Sequence, residues 1–350
     1  MPEDIHLRPL GLVYGAAARD AVDSGHAGRL AGGPIAFTAL EVIEGVPGDA
    51  TRSLVPYTQG ASSRDSTISS VLERITASRS DLAGLSLKQP RIMGVVNVTP
   101  DSFSDGGLFD TAEAAIAHGA RLAKEGADIL DIGGESTRPG SDPVEAAQEA
   151  ERILPVIEGL RGAGAVISAD TRKAQVMEKA TIAGAQVLND VSALTHDPAS
   201  LETAAKSGLP VVLMHARGDP KTMQDDPRYD DVLLEVYDYL ESRIEACGKA
   251  GIDRDRLVAD PGIGFGKTLE HNLQLLEGLA LFHGLGVPVM LGASRKRFIG
   301  ALADEPEVRK RMPGSIAAAL AGIARGVQVI RVHDVAETRQ ALTVWSAINE

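Results

Sequence analysis

Arg331 and His333 stand two residues apart in the stretch VIRVHD (329–334). On an extended strand that spacing turns both side chains to one face. Facing a pocket, they would form an anion clamp, with the arginine offering paired N–H donors to phosphate oxygens. Facing the surrounding helices, they would be two buried cations with no partner, which is costly. A second signal is DPGIGFGKT (260–268), which has the glycines and the Gly-Lys-Thr ending of a phosphate-binding loop. Its spacing is wrong. A P-loop reads G-x-x-x-x-G-K-[ST], and five residues before Gly266 stands Pro261, not glycine. Nor does it read G-x-G-x-x-G. What remains is an aspartate ending an apolar run, then a glycine-rich loop whose Lys267 reads as a solvated loop lysine.

The aspartate-ending run recurs. Short, β-branched apolar runs cover 92–98, 129–134, 166–170, 187–192, 210–215, 257–262, 288–294 and 329–334. Each is nearly continuous in apolar character, as strands buried on both faces should be. Helical patterns lie between them, near 112–125, 172–183, 198–206, 229–249, 269–281, 313–325 and 336–348. A further helix is signalled by Asp142-Pro143-Val144-Glu145, a cap, a first-turn proline and a capping-box glutamate, with Pro155 expected to kink or break it. Gly126, Gly184, Gly208 and Gly251 stand where helices should stop. Eight strands alternating with helices over about 260 residues predict an α/β fold, a (β/α)8 TIM barrel. A doubly wound open sheet is the alternative.

A barrel should carry its chemistry at the C-terminal ends of its strands. Polar residues do collect there: Asn97, Asp131 with Glu135, Asp170, Asn189 and Asp190, His215, Asp260, Ser294 to Lys296, and Arg331 with His333. A polar group in a buried strand costs several kcal/mol unless paired, so the recurrence reads as a lined cavity. Residues 1–88 lack the rhythm and read as an N-terminal extension of unknown role, with 89–350 as the catalytic barrel. Within the extension, 31–46 suggests a hairpin or a short strand and helix, and 62–78 a helix.

Composition narrows the classes. The chain has 350 residues, 44% hydrophobic and 24% charged, with a net charge of −13. That charge argues against nonspecific nucleic-acid binding. No apolar run approaches the length of a membrane span, and the start carries no secretory signal, so a cytoplasmic location is expected. The single Cys247 excludes an intrachain disulfide and reads as a helix packing residue.

GVVNVTPDSFSDGG (94–107) and DIGGESTRPG (131–140) resemble the two long loop motifs of dihydropteroate synthase. MHARGDPKTMQ (214–224), DPGIGFGKT (260–268), GASRKRFIG (292–300) and RVHDV (331–335) are similar to its later motifs, in the same order. The resemblance spans roughly 90–350. It implies a (β/α)8 barrel that joins p-aminobenzoate to 6-hydroxymethyl-7,8-dihydropterin diphosphate, releasing pyrophosphate and 7,8-dihydropteroate. It also implies a sulfonamide target and, by analogy, a homodimer through the outer helices.

The resemblance assigns pterin binding to Asp170, Asn189, Met214, Asp260 and Lys296. Carboxylates suit the ring's N–H groups, and an asparagine can donate and accept. Diphosphate binding falls to Asn97, Arg138, Arg331 and His333, with Asn97 also the expected contact for Mg2+. The p-aminobenzoate pocket would be lined by Phe103, Thr137, Arg138, Pro139, Phe265 and Ser294. Asp105 would stabilise the cation on the pterin, in a mobile loop; with Arg331, His333 and Lys296 it completes the catalytic set. Alternatives stay open: Asp170 as a helix cap, Asp260 and Asn97 as turn residues, the 102–107 loop as an exposed turn. Ala216-Arg217 departs from the Met-Gln of many members. Two rivals remain, a pterin-dependent methyltransferase and a non-catalytic pterin-binding protein.

Overall fold

The computed structural model describes residues 5–98, 112–136, 141–218 and 222–349. The first elements are β1 (Ile5–Val13), α1 (Gly15–Asp23), β2 (Gly28–Arg29), β3 (Ala36–Glu44), β4 (Thr51–Pro56), α2 (Tyr57–Ala61) and α3 (Ser66–Thr76). Then strand and helix alternate: β5 (Arg91–Asn97), α4 (Ala112–Lys124), β6 (Ile129–Gly133), α5 (Ala146–Gly159), β7 (Val166–Asp170) and α6 (Ala174–Ala183). Next come β8 (Val187–Asp190), α7 (Ser200–Ser207), β9 (Val211–Met214), α8 (Val232–Lys249), β10 (Leu257–Asp260) and α9 (Leu269–Glu277). The last are β11 (Met290–Leu291), α10 (Arg297–Ala303), α11 (Met312–Ile323), β12 (Val329–Val332) and α12 (Val335–Asn349).

The eight strands β5 to β12 pair in parallel, in the order β10-β9-β8-β7-β6-β5-β12-β11. A parallel bridge between Ala259 and Val289 joins the two ends, so the sheet closes into a barrel. The open-sheet alternative is thereby excluded.

Strand alternation then decides which side chains face inward. Met93, Ile129, Val166, Val187, Val212, Val258, Met290 and Val329 meet in one apolar layer inside the barrel, one from each strand. Leu82 and Leu87, from the segment before β5, join that layer and plug the floor. Their alternate neighbours, such as Ile92, Leu130, Ile167, Leu188 and Ile330, pack outward against the helices. Steps of two from the floor lead to Asn97, Asp131, Ser168, Asp170, Asn189, Met214, Asp260 and Arg331. These share the interior.

The same parity corrects two expectations. Asp190 and His215 have outward parity and do not line the cavity. Asp190 instead accepts from the backbone N–H of Ser192 (2.7 Å) and Leu194 (3.0 Å), pinning a turn in which Ala193 and Leu194 have positive φ. Local expectations also shift. The helix after β6 starts at Ala146 rather than after Asp142, because Glu135 takes the N–H of Val144 (2.9 Å). Pro155 sits inside α5 without breaking it. The predicted 269–281 helix ends at Glu277 and gives way to a 3-10 segment, Leu279–Leu285. The helix α10 carried no sequence signal that we read.

The first strands form an antiparallel sheet with β3 central, flanked by β1 on one side and by β2 and β4 on the other. Residues 31–46, expected to hold a hairpin or a short strand and helix, instead hold the one long strand β3 after a 3-10 turn at Leu30–Gly32, and the sheet's first strand, β1, has a pattern we did not read as a strand. α3 falls inside the predicted 62–78 helix, capped by Asp65, whose carboxylate accepts from the N–H of Thr67 (2.7 Å) and Ile68 (3.2 Å). Phe37, Leu40 and Ile75 fill a core of their own. The layer is tied to the barrel by His6 to Asp238 (2.7 Å), Arg52 to Asp231 (2.5 Å) and Arg74 to Glu241 (2.7 Å). A cleft at this seam, lined by Tyr14, Leu30, Pro34, Gln328 and Trp345, lies at the floor end of the barrel, away from the polar cluster. Among the described residues, no helix is long and apolar enough to cross a membrane. Cys247 is free and buried on α8.

Candidate active site

The interior polar cluster is built around Arg331. Its Nε donates to Asp131 Oδ2 (2.6 Å) and its Nη2 to Asp170 Oδ2 (2.8 Å). Arg331 thus faces the barrel interior, but it is not without partners. Two of its five N–H donors are engaged. Asp131, read from the sequence only as one of the cavity-lining residues, is the anchor. Its partner across the barrel is 200 residues away in the chain, a separation that no local pattern encodes.

Charge is crowded here. Burial and the neighbouring Asp131 carboxylate push the pKa of Asp170 up, and Arg331 offsets only part of that. The paired carboxylates hold Arg331 more firmly protonated than usual. Asp170 does not cap a helix: α6 begins at Ala174, and Asp197 takes that residue's N–H (2.9 Å).

Asp260 serves two purposes. Its Oδ1 accepts from the N–H of Gly262 (2.7 Å), which is the turn role. Its Oδ2 lies only 3.7 Å from where a Cβ on Gly292 would be, and Lys296 Nζ lies 3.9 Å from the same point. Gly292 therefore leaves the space between them open. Lys296 also donates to the Ile263 carbonyl and sits 4.6 Å from the centroid of the half-buried Phe265 ring. Burial pulls the Lys296 pKa down to about 8, opposed by Asp260. Burial pushes Asp260 upward, with Lys296 opposing.

The glycine loop after β10 is pinned from below by Lys267. Its buried ammonium donates to His215 Nδ1 (2.9 Å), to Gly262 O (2.9 Å) and to Phe265 O (3.0 Å). This corrects the solvated reading of Lys267, whose ammonium is turned into the loop rather than left free for a phosphate. The lysine is consumed by the loop's own carbonyls. Burial and Lys267 together press the His215 pKa down to about 2, so it stays a neutral acceptor. Gly262, at φ +68°, is required: a Cβ there would collide with the His215 carbonyl. Asn272 Oδ1 (2.6 Å) and Gln224 Nε2 (2.5 Å) hold the two polar atoms of the Gly264 backbone.

Ser294 Oγ lies 3.0 Å from His333 Nδ1 and accepts from the His333 N–H (3.2 Å), so these two residues meet at the rim. Arg295 turns away and pairs with Asp334 (2.5 Å). Met214 packs close to Gly262, its Cγ 3.3 Å from where a Cβ there would lie. Arg217 folds over Tyr229, 4.7 Å from its centroid, and donates to Glu235 (2.9 Å). Asn97, half-buried, ends β5 opposite Gly133. Glu135, its side chain 3% exposed, accepts from Arg172 (2.9 Å) and Lys173 (3.0 Å). Phe103, Asp105, Thr137, Arg138 and Pro139 lie outside the described residues.

Comparison with known proteins agrees with this arrangement. Residues 93–333 match the model of the pterin binding enzyme family. The dihydropteroate synthase of Neisseria meningitidis serogroup B is 49% identical over 269 residues, covering 75% of this chain and 94% of its own. A Yersinia pestis dihydropteroate synthase structure with a sulfonamide drug complex superposes with a TM-score of 0.73 at 45% identity, covering 75% of this chain and 96% of that one. A Xanthomonas albilineans dihydropteroate synthase structure with 4-aminobenzoic acid gives a TM-score of 0.72 at 53% identity, covering 77% and 97%. With relatives so similar over nearly their whole length, and its interior polar cluster at the strand ends, the chain belongs to the pterin-binding enzymes and, among them, to the dihydropteroate synthase family.

Proposed function

We propose that the protein joins p-aminobenzoate to 6-hydroxymethyl-7,8-dihydropterin diphosphate, releasing pyrophosphate and 7,8-dihydropteroate. The observation that carries this is the inward set Asp170, Asn189, Asp260, Lys296 and Arg331 at one end of the barrel, in a chain of this family. A flat heterocycle rimmed with N–H groups matches carboxylates and an amide; Lys296 supplies a donor to its acceptor atoms. Met214 would press on the ring face.

The reaction breaks the bond between the pterin CH2 and a diphosphate oxygen. It forms a C–N bond to the arylamine, which then sheds a proton. The amine is neutral at pH 7, so no strong general base is needed. The protein's contribution is positioning and electrostatics. Arg331, with donors left beyond its two carboxylate bonds, and His333 beside it would steady the departing diphosphate. Asp105 would face the developing cation, and Phe103, Thr137, Arg138, Pro139, Phe265 and Ser294 would frame the p-aminobenzoate. Asn97 and Arg138 would hold diphosphate oxygens.

Mg2+ belongs to the same proposal. The Asn97 amide oxygen is a hard donor of the kind this ion accepts, and magnesium commonly binds through substrate phosphates with few protein ligands. When bound it would offset charge on the diphosphate. Among the described residues no group of three or more acidic, His or Cys side chains forms a cage, so the ion would arrive with the substrate.

A homodimer and a cytoplasmic location complete the reading. Leu269 and Leu273 of α9 and Leu302 of α10 are exposed on packed neighbouring helices, which supports an outer-helix interface. The single buried thiol suits a reducing compartment. Expression in a bacterial strain lacking its own dihydropteroate synthase tests the function: growth without added folate end-products is expected, and no rescue by folded protein would count against it.

A further inference from the structure

Asp131 lies one step deeper in the barrel than Asp170 and Asn189 and is fully buried. Its Oδ1 accepts from Ser168 Oγ (2.6 Å), and its Oδ2 accepts from Asn189 Nδ2 (3.0 Å) and Arg331 Nε (2.6 Å). A side chain so enclosed does not meet a ligand. It can act only through the residues it holds. An ionised carboxylate accepts and never donates, so Asn189 must turn its amide nitrogen toward Asp131. Its carbonyl oxygen is then the atom left for the cavity. The guanidinium is fixed in the same way. With Nε on Asp131 and Nη2 on Asp170, its plane is set by two points.

We propose that Asp131 is a positioning residue that sets two recognition elements at once. It turns the Asn189 carbonyl toward an N–H donor of the ligand and aims the free edge of Arg331 at an anion. This rests on the functional reading above. It adds that heterocycle recognition and diphosphate recognition share one buried support.

The test is the variant Asp131→Asn. The amide keeps the size but cannot accept from Ser168, Asn189 and Arg331 together. Binding of 6-hydroxymethylpterin and of pyrophosphate is measured separately by calorimetry on the full chain, with circular dichroism to check the fold. Each affinity should fall by on the order of tenfold, the scale of a lost hydrogen bond to a charged group. The KM for p-aminobenzoate should move less than threefold. In an Asn189→Ala background, Asp131→Asn should no longer lower pterin affinity by that factor but should still lower pyrophosphate affinity. A purely structural role would not separate the two probes in this way.

If Asp131→Asn does not fold, the exchanged pair Asp131→Asn with Asn189→Asp keeps the buried charge and the amide-to-carboxylate hydrogen bond. It should lose pyrophosphate affinity through the lost Arg331 anchor; unchanged pyrophosphate affinity would overturn the proposal. So would folded Asp131→Asn with both affinities within twofold of wild type. Wild-type protein that binds neither probe would overturn the functional reading, and this inference with it.

Discussion

Lys296 holds its ammonium 4.6 Å from the centroid of the Phe265 ring and shares the space beside Gly292 with Asp260. Buried in this way, its pKa falls to about 8. The ammonium is present below that value and is lost as pH rises through it. Pterin affinity that depends on the ammonium should therefore fall above pH 8, by about tenfold per pH unit well past it. Lys296→Ala should weaken pterin binding and abolish this limb, and Asp260→Ala should weaken it with the limb displaced. A flat affinity profile from pH 7 to 10 in the wild type would count against the assignment.

Arg331→Ala should lower kcat/KM for the pterin diphosphate by roughly a hundredfold or more, the scale of a lost charge-assisted contact in the transition state. It also leaves Asp131 and Asp170 without their cation. Arg331→Lys separates the effects: it restores a charge but cannot bridge both carboxylates and an anion. Partial recovery of stability with little recovery of rate is expected, measured by thermal melts beside steady-state kinetics. Unchanged kinetics in Arg331→Ala would remove the clamp.

Lys267 supports the glycine loop from inside, so Lys267→Met should behave as a loop mutation. Four acceptors, His215 Nδ1 and the carbonyls of His215, Gly262 and Phe265, lose their donor. A stability loss of about 2–4 kcal/mol is expected, with a raised KM for p-aminobenzoate through Phe265. Wild-type protein should show no ATP binding by calorimetry. Measurable ATP affinity abolished by Lys267→Met would restore the nucleotide-loop reading.

Acid should weaken the fold through two buried histidines. His215 and His283 have pKa values near 2 and 3, pressed down chiefly by burial, against about 6.5 when unfolded. Below pH 6.5 the unfolded chain takes up protons that the native state refuses. Stability is therefore lost as pH falls, by about 2 kcal/mol per histidine between pH 7 and 5. Urea midpoints at the two pH values check this, and His283→Gln should shrink the difference.

The extension should not be removable as a block. Deleting residues 1–88 takes Leu82 and Leu87 out of the barrel floor and uncovers the Leu279–Leu285 segment, which is buried throughout. Two buried leucines alone contribute about 3–6 kcal/mol, so a Tm roughly 5–10 °C lower, or insolubility, is expected. A deletion variant with wild-type Tm would show the extension to be independent.

The barrel was legible because parallel strands buried on both faces read as short continuous apolar runs, with glycine at the helix stops. Which strand-end residues face inward was not. The apolar runs hide their own parity, and only the floor layer, with Leu82 and Leu87 reaching in from outside the repeat, fixes it. That is why Asp190 and His215 were read as cavity residues on the same footing as Asp131, and Asp131 was not singled out as the partner of Arg331. Lys267 was misread for a related reason: its partners are carbonyls, and carbonyls leave no mark on a sequence. The β1 strand escaped because its partner β3 supplies the pairing across an intervening helix. The turn role of Asp260 was legible, since an aspartate before Pro261 favours a turn.

The account's central claim is tested most directly by pyrophosphate release. Purified protein receives 6-hydroxymethyl-7,8-dihydropterin diphosphate and Mg2+, with and without p-aminobenzoate. The account predicts release that depends on p-aminobenzoate, one pyrophosphate for each 7,8-dihydropteroate formed. Release that ignores p-aminobenzoate, or none while the pterin still binds, would contradict it.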